Sequence, residues 1–165
     1  MSEQCPAERA LSIFPLRLGF SYAVLEGGTR LVDWGVARLG RQNDSEFQRR
    51  VAATIEGSRP TIVVCEDDSN PRRGEKARRR ARIAIEVAAF LGVPVTLASA
   101  GQVRSALGLA NKASKQNVAD ELIRRFPELS WRAPRNRIWQ RDPKMNVFEA
   151  IALAVAGVSA SDRGK

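Results

Sequence analysis

The chain has 165 residues, which suits one domain with a sizeable core, and its 44% hydrophobic and 27% charged content is that of an ordinary globular protein. Lys and Arg number 27 against 18 Asp and Glu, a formal charge of +9, and there is no histidine. A histidine general base, a His-dependent nucleophile and a His-ligated metal site are thereby excluded, and two cysteines, Cys5 and Cys65, are too few for a disulfide scaffold or a four-thiolate zinc site.

The N-terminus, Met1-Ser2-Glu3-Gln4-Cys5-Pro6, lacks the basic start and apolar core of a secretory signal. No apolar run nears the ~20 residues of a membrane span. A cytoplasmic protein that makes no use of the membrane is the expectation. Ala10-Leu11-Ser12-Ile13-Phe14 reads as a buried strand ended by Pro15. Residues 19–25 alternate as a second strand, Glu26-Gly27-Gly28-Thr29 supplies a turn, and residues 30–39 form a third strand. A helix follows, capped by Asn43, Asp44 or Ser45, with Phe47, Val51 and Ile55 on one face and Gly57 and Pro60 at its end. Pro60-Thr61-Ile62-Val63-Val64-Cys65 is an apolar, β-branched run typical of a central strand. It delivers three consecutive acids, Glu66, Asp67 and Asp68. Residues 74–91 form a long helix with an alanine stripe and a cluster of arginines. Residues 92–97 give a fifth strand, and residues 102–107 and 114–126 give two further helices. Residues 127–143, with three prolines, read as loop, and the last helix starts near Asn146. The polar stretch from Ser159 reads as a frayed tail.

The order β-β-β-α-β-α-β-α-α-α predicts an α/β domain: three antiparallel strands, then two parallel ones, in a mixed five-stranded sheet with helices on both faces. The boundaries are a tail over 1–9, one domain over 10–158 and a tail over 159–165. In such sheets ligands bind beyond the carboxyl ends of the strands, where Phe14 and Glu66 lie.

The charge is uneven. Residues 1–68 hold 8 basic and 10 acidic side chains, whereas residues 69–165 hold 19 and 8. A basic half beside a near-neutral one is the footprint of polyanion binding. The competing explanation is an arginine-rich solvated surface.

Several segments match a known pattern in order and spacing. Leu11-Ser12-Ile13-Phe14-Pro15 precedes a Gly19-Phe20-Ser21-Tyr22-Ala23-Val24 strand, and Asp33-Trp34-Gly35-Val36 follows. Val64-Cys65-Glu66 ends the fourth strand in an acid. Ser114-Lys115-Gln116-Asn117-Val118 opens a helix, and Asn146-Val147-Phe148-Glu149-Ala150-Ile151-Ala152-Leu153-Ala154 opens the last one. Together, over residues 10–157, these resemble the RNase H-like fold and most closely the RuvC-type Holliday-junction resolvases. In that family four carboxylates hold two divalent metals that activate water and stabilise the leaving oxygen. The resemblance implies a homodimer acting on branched DNA with Mg²⁺ or Mn²⁺, catalytic roles for Glu66, Glu149 and Lys115, and metal-facing positions at Glu66, Asn146 and Glu149. Asp67 or Asp68 is a candidate replacement ligand. Arg104 falls where the family often has a lysine.

Two positions depart from the pattern. The first-strand aspartate is Phe14, which cannot bind a metal, and the third acid is Asn146, a neutral donor at best. Each remaining candidate also has a plain explanation. Glu66 is a ligand remnant or an acid paired with an arginine at the sheet edge. Asp67 and Asp68 are ligands or turn residues. Asn146 and Glu149 make a capping box, with Asn146 as N-cap, without any metal. Phe14 is core. Lys112 and Lys115 contact phosphate or decorate a helix start, where positive charge opposes the helix dipole. Arg78, Arg79 and Arg82 bind phosphate or form a solvated face, Glu75 and Arg79 pairing at i, i+4. Arg135 and Arg137, among Trp131, Arg132, Trp139 and Arg141, stack and bind nucleic acid or dock a loop.

The leading expectation is a RuvC-like protein that binds structured or branched nucleic acid, DNA before RNA, with a divergent two-metal site. Arg78, Arg79, Arg82, Arg104, Lys112, Lys115, Arg135 and Arg137 are its expected phosphate contacts. One alternative is an active endonuclease gathering one Mg²⁺ or Mn²⁺ on Glu66, Asp67 or Asp68, and Glu149. The other is a protein–protein adaptor that binds no nucleic acid.

Overall fold

The structure is a computed structural model that describes residues 7–40, 43–67, 73–132 and 146–163. Five strands, β1 (Arg9–Leu16), β2 (Gly19–Glu26), β3 (Arg30–Arg38), β4 (Ile62–Glu66) and β5 (Val95–Ala98), form one sheet in the order β3-β2-β1-β4-β5. The first three pair antiparallel, and β4 runs parallel to both β1 and β5. The helices are α1 (Asp44–Ser58), α2 (Glu75–Phe90), α3 (Ala100–Ala106), α4 (Lys115–Arg125) and α5 (Asn146–Arg163). This is the mixed sheet expected from the element order.

The side-chain alternation of β1 and β4 divides the core in two. Leu11, Ile13, Val63 and Cys65 face α1 and α2 with Phe47, Val51 and Ile55. Ala10, Phe14, Ile62 and Val64 face α5. α5 lies across the sheet, and α3 and α4 cover its outer side. Nearly every α5 residue from Val147 to Val158 is therefore buried, which explains a helix apolar almost all round.

Two buried serines tie α5 to the meander. Ser12 Oγ donates to the Ala150 carbonyl (2.5 Å), and Ser21 Oγ donates to the Asn146 carbonyl (2.8 Å). Further along, Gly157 lets α5 sit directly on β4. A Cβ there would lie 2.2 Å from Val64 Cγ2 and 2.7 Å from Val64 Cγ1. Gly19, at φ +127°, opens β2 in a backbone conformation that side chains disfavour, with the Ala37 carbonyl 1.8 Å from where a Cβ would be.

Several boundaries differ from the sequence-based expectation. β1 continues through Pro15, which pairs with Phe20. The Pro15 carbonyl accepts from Arg73 Nη2 (2.6 Å), so its missing N–H also lies on the edge away from β2, past the last β1–β4 pair at Ile13 and Cys65. The proline therefore removes no ladder bond. α3 starts at Ala100 because Ser99 and Gln102 form a reciprocal capping box. Residues 127–132 make a 3₁₀ turn where loop was expected. α5 runs on to Arg163, five residues beyond the expected domain end at Val158.

Candidate functional site

The parallel register fixes the site. Ile13 pairs with Cys65, so Phe14 and Glu66 follow as neighbours at the carboxyl ends of their strands, on the face toward α5. A cavity of about 890 Å³ opens there. Phe14 and Glu66 form its floor. α3 contributes Arg104, the segment after it Asn111 and Lys112, α4 its first residue Lys115, and α5 its first turn with Asn146 and Glu149. Of the expected phosphate contacts, Arg104, Lys112 and Lys115 line this cavity with the two strand tips, and Arg78, Arg79 and Arg82 do not.

The chemistry of the floor is set by a residue that the sequence reading passed over. Arg73, just ahead of α2, lays its guanidinium 4.3 Å from the centre of the Phe14 ring and donates to the Pro15 carbonyl. Its Nε lies 3.9 Å from Glu66 Oε1. Across the cavity, Arg104 Nη2 lies 3.8 Å from Glu149 Oε1. Both carboxylates are largely shielded, with 11% and 13% of their side-chain surface exposed. The signal for Arg73 was its position, a second arginine in Pro71-Arg72-Arg73-Gly74 between a strand-end acid run and a helix N-cap.

Glu149 therefore turns to Arg104. Asn146 lies within α5 rather than at the expected N-cap position, and its backbone carbonyl accepts from Ser21 Oγ. Asp67 donates its N–H to the Ala98 carbonyl and is not among the residues lining the cavity. Asp68, Arg135, Arg137, Trp139 and Arg141 lie outside the described residues, as do the side chains of Trp131 and Arg132. No group of three or more His, Cys, Asp or Glu side chains able to hold a metal gathers among the described residues.

The arginines of α2 are not part of this cavity, because α2 packs with α1 on the opposite face of the sheet. Arg79 Nε pairs with Asp44 on α1 (3.1 Å) rather than with Glu75 as expected. Arg82 is exposed and Arg78 half-buried. Arg80 is completely buried against the Phe47 ring and reaches the carbonyls of Leu16 and Arg17. The cationic run thus has a structural member at its centre. Lys112 and Lys115, by contrast, are exposed at the cavity mouth, and no carboxylate among the described residues lies within salt-bridge range of either. Lys115 stands at the start of α4, where the helix dipole repels it, a placement that favours an anion nearby.

Cys65, beside Glu66, points to the other face. It is fully buried, and desolvation raises its thiol pKa from 9.0 to about 12, so it supplies no nucleophile.

Comparison with solved structures identifies the fold. RuvC from Thermus thermophilus superposes with a TM-score of 0.71 at 20% identity, covering 94% of this chain and 96% of that one. The chain has the RuvC-type RNase H-like fold. T. thermophilus RuvC in complex with a Holliday junction substrate gives 0.70 at 20% identity over 95% and 96% of the two chains. The yeast mitochondrial Holliday junction resolvase Ydc2 gives 0.59 at 16% identity over 94% and 79%. No family model and no curated protein sequence matches the chain.

The residues lining this cavity do not fit a pair of divalent ions. Mg²⁺ needs hard anionic oxygens in octahedral array. Here the strand-one position is a phenyl ring covered by a guanidinium, and each remaining carboxylate already faces an arginine.

Proposed function

We propose that this protein binds branched DNA through the cavity at the ends of β1 and β4, and that it does so without two-metal hydrolysis. One observation carries the reading. Arg73, Arg104, Lys112 and Lys115 converge around a strand-end cavity whose floor is Phe14 under a guanidinium. Among the described residues, four cations against two carboxylates leave an excess positive charge suited to phosphodiesters. The RuvC-type fold, with a Holliday-junction complex among its solved examples, supports a branched substrate. Glu66 and Glu149 occupy the acid positions of the nuclease pattern, but their charge is balanced by arginine rather than offered to a metal.

The test is an electrophoretic titration of a four-way junction and a linear duplex, each in EDTA and in Mn²⁺. The expected result is a salt-sensitive junction complex that forms equally in both media and leaves the strands intact. Strand cleavage in Mn²⁺ that disappears in Glu66→Gln would establish the endonuclease instead. Failure to bind at low ionic strength would favour the adaptor, because phosphate contacts are strongest there.

A further inference from the structure

The two arginines of the cavity are neutralised by the two acids that the nuclease pattern would assign to metal. We propose that Glu66 and Glu149 act as built-in competitors of DNA phosphate for Arg73 and Arg104, so that removing either carboxylate tightens binding. This rests on the DNA-binding reading and adds a sign to it: loss of either acid strengthens binding.

The geometry supports displacement rather than a locked pair. At 3.9 Å and 3.8 Å, both contacts are longer than a charge-assisted hydrogen bond. Each arginine side chain keeps an exposed fraction, 23% for Arg73 and 13% for Arg104, and both line the cavity. A phosphodiester entering past Lys112 and Lys115 meets two guanidiniums that can exchange a carboxylate oxygen for a phosphate oxygen. Phe14 matters in this exchange. Its ring supports the Arg73 guanidinium from one side, and the Pro15 carbonyl holds one end of it, so the cation stays in place when its acid lets go.

Screening gives the exchange a measurable signature. The repulsion between a cavity carboxylate and an incoming phosphate is weakened by salt, so any gain from removing the carboxylate should be largest at low ionic strength and shrink as salt rises.

The experiment measures junction binding by fluorescence anisotropy in EDTA across a salt series, for the wild type, Glu66→Gln, Glu149→Gln and the control Glu121→Gln. Glu121 lies on α4 outside the cavity, where it is hydrogen-bonded to Arg124 and Arg125, so its loss changes net charge equally. Either cavity variant should bind roughly three- to tenfold tighter at low salt, with the gain shrinking as salt rises, while the control changes less than twofold. Equal tightening in the control, or weaker or unchanged binding in the cavity variants, overturns the inference. Absence of wild-type binding instead refutes the DNA-binding reading. The two acids test the same idea through separate ion pairs, so one variant that fails to fold leaves the other decisive.

Discussion

The guanidinium over Phe14 can be tested by putting an acid back. Phe14 is 8% exposed and packs in the α5-side core, so Phe14→Asp removes most of a buried aromatic side chain, at a cost of about 3–5 kcal/mol. Part of that loss returns, because the new carboxylate would sit beneath a guanidinium now 4.3 Å from the ring centre. The single variant should therefore fold with a lowered melting temperature and still take up no Mn²⁺, since Arg73 neutralises the added charge. Phe14→Asp combined with Arg73→Gln leaves the new acid, Glu66 and Glu149 around one cavity with a single arginine between them. Mn²⁺ should then stabilise the fold. At a concentration a hundred times the dissociation constant the gain is about 2.7 kcal/mol, or roughly 5–10 °C for a chain of this length. Thermal melts followed by circular dichroism, with and without Mn²⁺, read the outcome directly. A Mn²⁺-dependent rise in the wild type or in Phe14→Asp alone would refute the argument that arginine, as well as the missing acid, displaces the metal.

The remaining predictions concern the frame around the site. Gly157→Ala should destabilise by about 1–3 kcal/mol despite the ~1 kcal/mol helix preference of alanine, because the new methyl meets Val64 at 2.2 Å. Urea titration measures the loss, and Val64→Ala in the same chain should recover part of it. Cys65 predicts an alkaline limb: above pH 9.0 the unfolded chain releases the thiol proton that the folded chain keeps up to about pH 12. Stability should then fall with rising pH, by at most about 1.4 kcal/mol per unit from this group, and Cys65→Ala should remove that component. Glu121 predicts an acid limb of opposite sense. Hydrogen bonds from Arg124 and Arg125 lower its pKa from 4.5 to about 2, so its contribution is present above 4.5 and is lost as pH falls toward 2. Glu121→Gln should flatten that limb in pH-dependent melts.

The sequence exposes those features that local chemistry enforces. Apolar runs at 10–14 and 60–65, the Gly27-Gly28 turn and the in-phase Phe47, Val51 and Ile55 each leave few alternatives, and the mixed sheet of three antiparallel and two parallel strands follows from the element order. The convergence of Phe14 and Glu66 was also legible, since both end buried strands at one edge. The identity of the site's counter-ions was not. Arg73 and Arg104 differ from the other arginines only in where the chain delivers them, and no periodicity separates them from Arg79, which pairs with Asp44, or from Arg80, which is buried. For the same reason the arginine cluster of α2 looked like part of one phosphate-binding surface. Its neighbours in sequence give no sign that α2 lies behind the sheet. Glu149 illustrates a different limit. A capping box and an inward ion pair use the same residue type in the same first turn, and only the position of Arg104 on α3 decides between them.

On the proposed function, arginine rather than a metal meets the phosphate, and that changes what controls the site. A divalent ion comes and goes with its free concentration, and with it goes affinity for phosphate. A guanidinium stays charged at every accessible pH and is carried by the chain itself. The cavity should then respond to total ionic strength rather than to divalent ions in particular. Mg²⁺ would act only as a more effective competitor for the DNA backbone. A binding curve that weakens steadily with Mg²⁺, and weakens likewise with monovalent salt at the higher concentration needed for equal screening, is the expected form. A rise in affinity at low Mg²⁺ before that decline would mean that Glu66 and Glu149 still prefer a metal to their arginines.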